Sequence, residues 1–343
     1  MKKKHIIITA ILALLILSAA PFTISFIDKD EFAGNYRIPY AMGENYYLFR
    51  HYISAAADSE KIPFFGDSVI WGHYAEKDKT LTSQLNRLQK EKKIANMGID
   101  GIHPAALYGL VKNYTGKIKN KDMLVGINLL WMSSPRHDLS GEANREINHK
   151  KLLPQLSRAV PAYEADIEER LSALINRELT FFAWVNHIKM SRFADSSFYR
   201  WTIDNPEKTI FSFIGKKETE YTVPEHMLRN EAPQQNISWV KPEESIQWDY
   251  MKKTIKLLKS RGNRVTAYIT PYNIHSLTPE SRERYFEIRE ILERELEDDG
   301  IPVIAGVTPD KKYFADASHT GEEGYRILAE DLLRNRLFNS LLR

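Results

Sequence analysis

The stretch Phe64-Phe65-Gly66-Asp67-Ser68-Val69-Ile70-Trp71-Gly72 changes character at its centre. An apolar run over 62–65 stops at a glycine, and an acid and a serine follow before the next turn. That pattern predicts a buried strand ending in a sharp turn, with Ser68 at the strand's carboxyl end. In open α/β sheets ligands bind at that edge. A serine there is a candidate nucleophile, provided a base and an anion-stabilising pocket reach it from other segments. Taken alone, the triplet reads first as a polar turn after a strand, so its company decides.

Outward from this stretch the chain alternates between strand and helix. Further strands are expected over 94–97, 123–130, 264–270 and 301–307, with 123–130 a continuous apolar run of the kind buried in parallel sheets. Between them, Leu81, Leu85 and Leu88 share a helical face behind a Thr80 cap, and 103–112 and 245–260 read as helices. A helix is expected from the Thr278 cap, with Pro279 at its first position, to a Gly300 stop. Thr320-Gly321-Glu322-Glu323 has the capping-box pattern and is expected to open the last helix, whose face carries Tyr325, Leu328, Ala329, Leu332 and Leu333. Five parallel strands with helices between them predict a three-layer α/β/α sandwich. Residues 135–245 break the alternation and read as a mainly helical insertion, a candidate cap over the site. Within it, 161–192 is expected as one long helix or two, striped by Tyr163, Ile167, Leu171 and Leu174. The aromatic run Phe181-Phe182-Ala183-Trp184-Val185 is read as core packing before a ligand groove, and 195–245, with Pro206, Pro224, Pro233 and Pro242, as loop.

If the strands are parallel, four polar clusters share one edge. Ser68, Gly98 and Asn128 follow three successive strands, and Tyr313-Phe314-Ala315-Asp316-Ala317-Ser318-His319 precedes the final helix. A serine hydroxyl needs a base, for which His319 is the candidate. Asp316, three residues earlier, is placed to fix the imidazole tautomer and to stabilise the imidazolium. The backbone amides of Ser68 and Gly98 and the side-chain amide of Asn128 are the expected oxyanion donors.

These blocks resemble those of the SGNH (GDSL-type) hydrolase superfamily. Its Ser in a Gly-Asp-Ser block, its Gly, its Asn and its His in an Asp-x-x-His block fall in order on Ser68, Gly98, Asn128 and His319, with Asp316 as third member of the triad. The match runs from about 64 to 333 and leaves the insertion unmatched. Two departures stand out: Gly126-Ile127-Asn128-Leu129 where the family often has Gly-x-Asn-Asp, and Val69 where it has Leu. The resemblance implies a flavodoxin-like sheet and a serine esterase or O-acyltransferase. It is similar to membrane-anchored bacterial members that add or remove acyl groups, acetyl foremost, on cell-envelope polysaccharides. An acylated carbohydrate or other ester is then the expected substrate and a membrane-bound acyl-donor protein a candidate partner. The alternatives are a lipid esterase or lysophospholipase at the membrane surface, and a non-enzymatic envelope component that binds polysaccharide.

The rest of the sequence sets boundaries. Of 343 residues, 43% are hydrophobic and 27% charged, ordinary values for a globular protein. The formal charge of +3 equals the contribution of Lys2, Lys3 and Lys4, so the remainder is near neutral, which argues against a nucleic-acid partner. There is no cysteine, hence no thiolate metal site or cysteine nucleophile. His137, His149, His187, His226 and His275 show no ligand spacing, so no metal is expected, and without a Gly-rich phosphate loop no cofactor is. His73 and His103, near Ser68 and Gly98 in sequence, are read as packing or surface residues before substrate contacts. Residues 1–5 are a basic end expected to stay cytoplasmic. The uncharged run 6–27 is expected to be a transmembrane anchor, with a cleaved signal peptide as the alternative. Either places the domain outside the cytoplasm. Residues 28–60 read as linker and short helix, and 61–343 as the hydrolase-like domain.

Overall fold

Short runs that are apolar on both faces build the centre of the molecule. The strands β1 (Ile62–Gly66), β2 (Ile94–Gly98), β3 (Asp122–Ile127), β4 (Arg264–Ile269) and β5 (Val303–Ala305) form one sheet in the order β2-β1-β3-β4-β5, with every pairing parallel. Phe65, Met97, Val125 and Ala267 enter one hydrophobic layer, and Phe64, Ile94, Leu124 and Tyr268 the other, following the two-residue period of an extended chain. The structure is a computed structural model that describes residues 2–25, 37–91, 93–193, 196, 198–206, 221, 223 and 234–342.

The described helices are α1 (Lys2–Ser25), α2 (Tyr46–Ala57), α3 (Ser68–Trp71), α4 (Leu81–Leu88), α5 (Pro104–Tyr114), α6 (Pro135–Asp138), α7 (Ile167–Glu178), α8 (Thr180–Arg192), α9 (Phe198–Asp204), α10 (Ile246–Ser260), α11 (Pro279–Asp298), α12 (Glu322–Arg334) and α13 (Arg336–Leu341). Phe49 of α2, Leu110 of α5, Ile255 of α10 and Leu292 of α11 cover one face of the sheet. Ile70 of α3, Leu85 of α4, Leu328 of α12 and Phe338 of α13 cover the other. This is the expected three-layer α/β/α sandwich. Its strand order reverses between β1 and β3, the crevice in which open α/β sheets bind ligands.

Local chemistry sets the element ends. Thr80 and Thr278 cap α4 and α11 by accepting from the Ser83 and Ser281 amides, as their sequences predict. β3 is shorter than its apolar run, because Asn128 Oδ1 accepts from the Leu130 amide and turns Leu129–Met132 into a 3-10 helix. The helical stretch over 161–192 resolves into two helices, the first starting at the Asp166 cap, with 161–165 outside both. The stripe divides: Tyr163, outside the helices, is buried and Leu174 half-buried, while Ile167 and Leu171 lie in solvent, 68% and 49% exposed. The start of the insertion is tied to the sheet-covering helices by Asp138, fully buried at the end of α6. Its carboxylate accepts from the Ser245 hydroxyl and from the Ile246 and Gln247 amides at the head of α10.

One expectation is corrected and one is left without support. Thr320 does not open α12: the cap position is Gly321, without a side-chain bond, because the Thr320 backbone pairs with Phe314 to close the preceding loop. A membrane span over 6–27 is not supported: among the described residues no helix is long and apolar enough to cross a membrane. The helix that forms there, α1, spends its first turn on Lys2, Lys3 and Lys4 and carries Pro21 near its end. Phe26 and Ile27, the linker residues 28–36, His226, Pro224 and Pro233 lie outside the described residues.

Candidate active site

The turn that carries Ser68 rests on main chain. β1 ends at Gly66, and Asp67 caps the single turn of α3 by accepting from the Val69 amide at 3.1 Å. The turn stops at Gly72, whose φ of 97° lies in the left-handed region. It sits directly on the strand ends. A Cβ at Gly98 would lie 2.2 Å from the Trp71 backbone nitrogen, and one at Gly66 2.3 Å from Ile70 Cγ1. From the side, Trp71 Nε1 donates to the Ile38 carbonyl at 2.7 Å, and Arg37 Nη1 donates to the carbonyls of Gly72 (3.0 Å) and Ala75 (2.9 Å). The Arg37 guanidinium lies 4.1 Å from the centre of the Trp71 ring.

The loop before α12 closes on itself. Phe314 and Thr320 form an antiparallel bridge, and the Ala315 amide donates to the His319 carbonyl at 2.8 Å. Beyond the end of β4, Asn273 donates its amide to Ala317 and its side chain to the Asp316 carbonyl, docking the loop on the sheet. The Asp316 carboxylate accepts from the Ser318 amide (2.9 Å), the His319 amide (2.8 Å) and His319 Nδ1 (2.8 and 2.9 Å). With Nδ1–H donated there, Nε2 presents its lone pair to the Ser68 hydroxyl, 2.7 Å away. Ser68 and His319 are both buried. Burial alone would lower the His319 pKa, but the Asp316 carboxylate, helped by Asp67 and Asp100, raises it above the ordinary histidine value. Burial pushes Asp316 the other way, and the imidazole with the Ser318 and His319 amides more than offsets it, so that carboxyl lies below its usual range.

Asn128 reaches the same turn from β3. Its Nδ2 donates to Asp67 Oδ2 at 2.8 Å, and Trp131 Nε1 donates to the same oxygen at 2.9 Å. An amide nitrogen carries two hydrogens, so one remains for an oxyanion. Burial raises the Asp67 pKa, and His319, Asn128, Val69 and Trp131 act against that rise. Gly98 departs from its expected role: its amide donates to Asn96 Oδ1 at 3.0 Å and is engaged, so its contribution in this structure is the missing side chain under Trp71. Leu129, in the position of the family's frequent second acid, is buried in the core.

The other histidines divide. His103 caps α5 through Nδ1, and burial, with His149 beside it, pushes its pKa down to about 3. His149 is buried, its Nε2 donating to the Asp100 carbonyl and its Nδ1 meeting the Tyr46 hydroxyl, and His187 meets Asn45. Among the described residues no three His, Cys, Asp or Glu side chains are grouped to hold a metal ion. His73 stands apart: its Nδ1 lies 2.7 Å from Asp100 Oδ1, and its ring centre is 5.1 Å from that of His319. Asp100 and Trp131 were not singled out by sequence reasoning. Both sit within three residues of a block that was, and only their tertiary partners distinguish them.

No family model and no curated protein matches the sequence. Among solved structures, the chain is similar to a protein of the G-D-S-L lipolytic family from Desulfitobacterium hafniense DCB-2, at 10% identity and a TM-score of 0.38, covering 79% of this chain and 97% of that one. It is also similar to a GDSL-like lipase from Bacteroides ovatus ATCC 8483, at 10% identity and a TM-score of 0.37, covering 83% of this chain and about half, 54%, of the other.

Proposed function

We propose that this protein is a serine esterase or O-acyltransferase that works through an acyl group on Ser68. The observation that carries the reading is the 2.7 Å approach of His319 Nε2 to Ser68 Oγ, with Asp316 on the far side of the ring. Ser68 Oγ attacks the ester carbonyl carbon while its proton passes to His319 Nε2. The tetrahedral oxyanion is met by the free hydrogen of Asn128 Nδ2 and by the Ser68 amide. The bond to the alcohol oxygen then breaks, and Nε2 returns the proton to the departing alcohol. Water or a second hydroxyl repeats the sequence in reverse, giving its proton to Nε2 and releasing Ser68.

The substrate we assign is an acyl ester, acetyl foremost, of cell-envelope carbohydrate, met outside the cytoplasm. A basic end followed by an uncharged apolar run, whose Ile6 to Ile16 side chains stand exposed where described, supports export. If transfer is the physiological reaction, its acyl donor is the partner this reading adds. Replacing Ser68→Ala should reduce hydrolysis of p-nitrophenyl acetate to the uncatalysed background; wild-type turnover in that variant would sink the proposal.

A second reading rests on α7 and α8. Ile167, Leu171, Ile175, Leu179, Phe182 and Val185 are all substantially exposed, an apolar strip suited to a lipid surface. On that reading the esterase acts on lipids. A series of esters of rising acyl length separates the two: preference for acetyl favours carbohydrate, and preference for long chains favours lipid.

A further inference from the structure

Beside the triad stands a second imidazole–carboxylate pair that the reaction above leaves unused. His73 follows the nucleophile turn directly, and its Nδ1 is 2.7 Å from Asp100 Oδ1, with the two side chains 20% and 23% exposed. Its carbonyl accepts from Tyr325 Oη on α12 at 3.0 Å, and the Asp100 carbonyl is bonded by His149 Nε2 at 2.9 Å, so both partners are held from behind. The next residue, Tyr74, takes a left-handed φ of 62°, uncommon for a residue with a side chain, and its amide donates to Tyr221 Oη. The rings of Tyr74, Tyr221, Tyr40 and Trp71 surround His73 at 4.4, 5.4, 6.2 and 6.2 Å between centres.

We infer that His73, oriented by Asp100, binds the alcohol portion of the ester, and that this alcohol is polyhydroxylated; the inference rests on the esterase reading and deepens it. Donating Nδ1–H to Asp100 leaves Nε2 as a fixed lone pair, which recognises a hydroxyl hydrogen. The position is set by the triad: His319 Nε2 hands its proton to the departing alcohol, and the His73 ring lies 5.1 Å away. A hydroxyl on a neighbouring carbon of that alcohol is therefore within the reach of His73. Past Asp100 the surface opens into a cleft of about 420 Å³, walled by Tyr40, Glu44, Asn148, His149 and Asn186. Apart from two glycines, Ala41 and Met190, the lining is of hydrogen-bonding groups and one aromatic ring, which suits a hydroxylated ring better than an acyl chain. The simpler role, a strut between the Ser68 turn and the loop after β2, needs no lone pair on Nε2, and this difference makes the two separable.

The test compares 6-O-acetylglucose with ethyl acetate, which share the acyl group and differ in the alcohol. In His73→Phe, which keeps a ring without nitrogen, and in Asp100→Asn, the ratio of kcat/KM for the sugar ester to that for ethyl acetate should fall about tenfold, the scale of one lost hydrogen bond. His73→Gln, which restores an acceptor oxygen, should recover part of the ratio. A parallel fall on both esters, or none, overturns the inference and leaves a strut. If His73→Phe does not fold, Asp100→Asn carries the comparison. Should wild type and variants hydrolyse neither ester, the esterase reading fails, and calorimetric binding of glucose decides the inference by itself: weaker binding in the variants supports it, and equal affinity overturns it.

Discussion

Asn128 Nδ2 and Asp67 Oδ2 lie 2.8 Å apart, a bond across 61 residues of sequence that joins the end of β3 to the cap of the turn bearing Ser68. It aims a side-chain amide at the nucleophile from the neighbouring strand, across the point where the strand order reverses. Removal of Asn128 should therefore act on the transition state. We expect Asn128→Ala to lower kcat by about 10²–10³-fold with KM little changed, the cost of one oxyanion donor. Steady-state kinetics on p-nitrophenyl acetate check it, and a loss confined to KM would assign Asn128 to ground-state binding.

Asp316 accepts from His319 Nδ1 and from two backbone amides, so it fixes ring, tautomer and loop together. Asp316→Asn keeps the shape and offers an amide where a carboxylate is needed. A fall in kcat of about 10⁴-fold is expected, with an unchanged circular-dichroism spectrum.

The same carboxylate sets the pH dependence. His319 must be neutral to take the Ser68 proton, so activity is absent at low pH and appears as pH rises through the His319 pKa. Asp316 holds that pKa above the ordinary value of about 6.5. The rise of kcat/KM for an uncharged ester should therefore be centred above 6.5. In Asp316→Asn the largest influence left is burial, which favours the neutral ring, and the residual activity should rise at lower pH. A midpoint that moves upward in the variant contradicts this account.

Gly98 tests packing apart from chemistry. A methyl group there would meet main chain at 2.2 Å, which no rotamer change relieves. Gly98→Ala should lose about 1–3 kcal/mol of stability or more, and activity with it, because α3 must lift off the sheet. Urea unfolding measures it. An unperturbed midpoint would show that the turn moves aside easily.

Much of the fold was legible because its strands are short runs of Ile, Val, Phe, Leu and Met closed by Gly, Asn or Pro, and because Thr80 and Thr278 do as caps what threonine does locally. The polar residues at those strand ends were legible for the same reason: Ser68, Asn128, Asp316 and His319 interrupt apolar text or sit next to a helix start. What escaped depends on which partner a polar group takes in the folded chain. The Gly98 amide is taken by Asn96, two residues away, a bond that a strand reading does not foresee. Thr320 looks like a cap until Phe314 claims its backbone. Trp131 and Asp100 acquire meaning only once the sheet brings Asp67 and His73 to them. Helix periodicity over 167–174 was real, yet Ile167 and Leu171 on the face it marked are left bare, since periodicity says which residues align and not what they meet.

Arg37 and Ile38 grip the far side of the serine's turn through Gly72, Ala75 and the Trp71 indole. Ser68 and Trp71 are the first and last residues of α3, so only Val69 and Ile70 separate that grip from the hydroxyl. The chain entering the domain is thus in mechanical register with the nucleophile, and whatever anchors or pulls residue 37 has a short, stiff lever on where Ser68 stands.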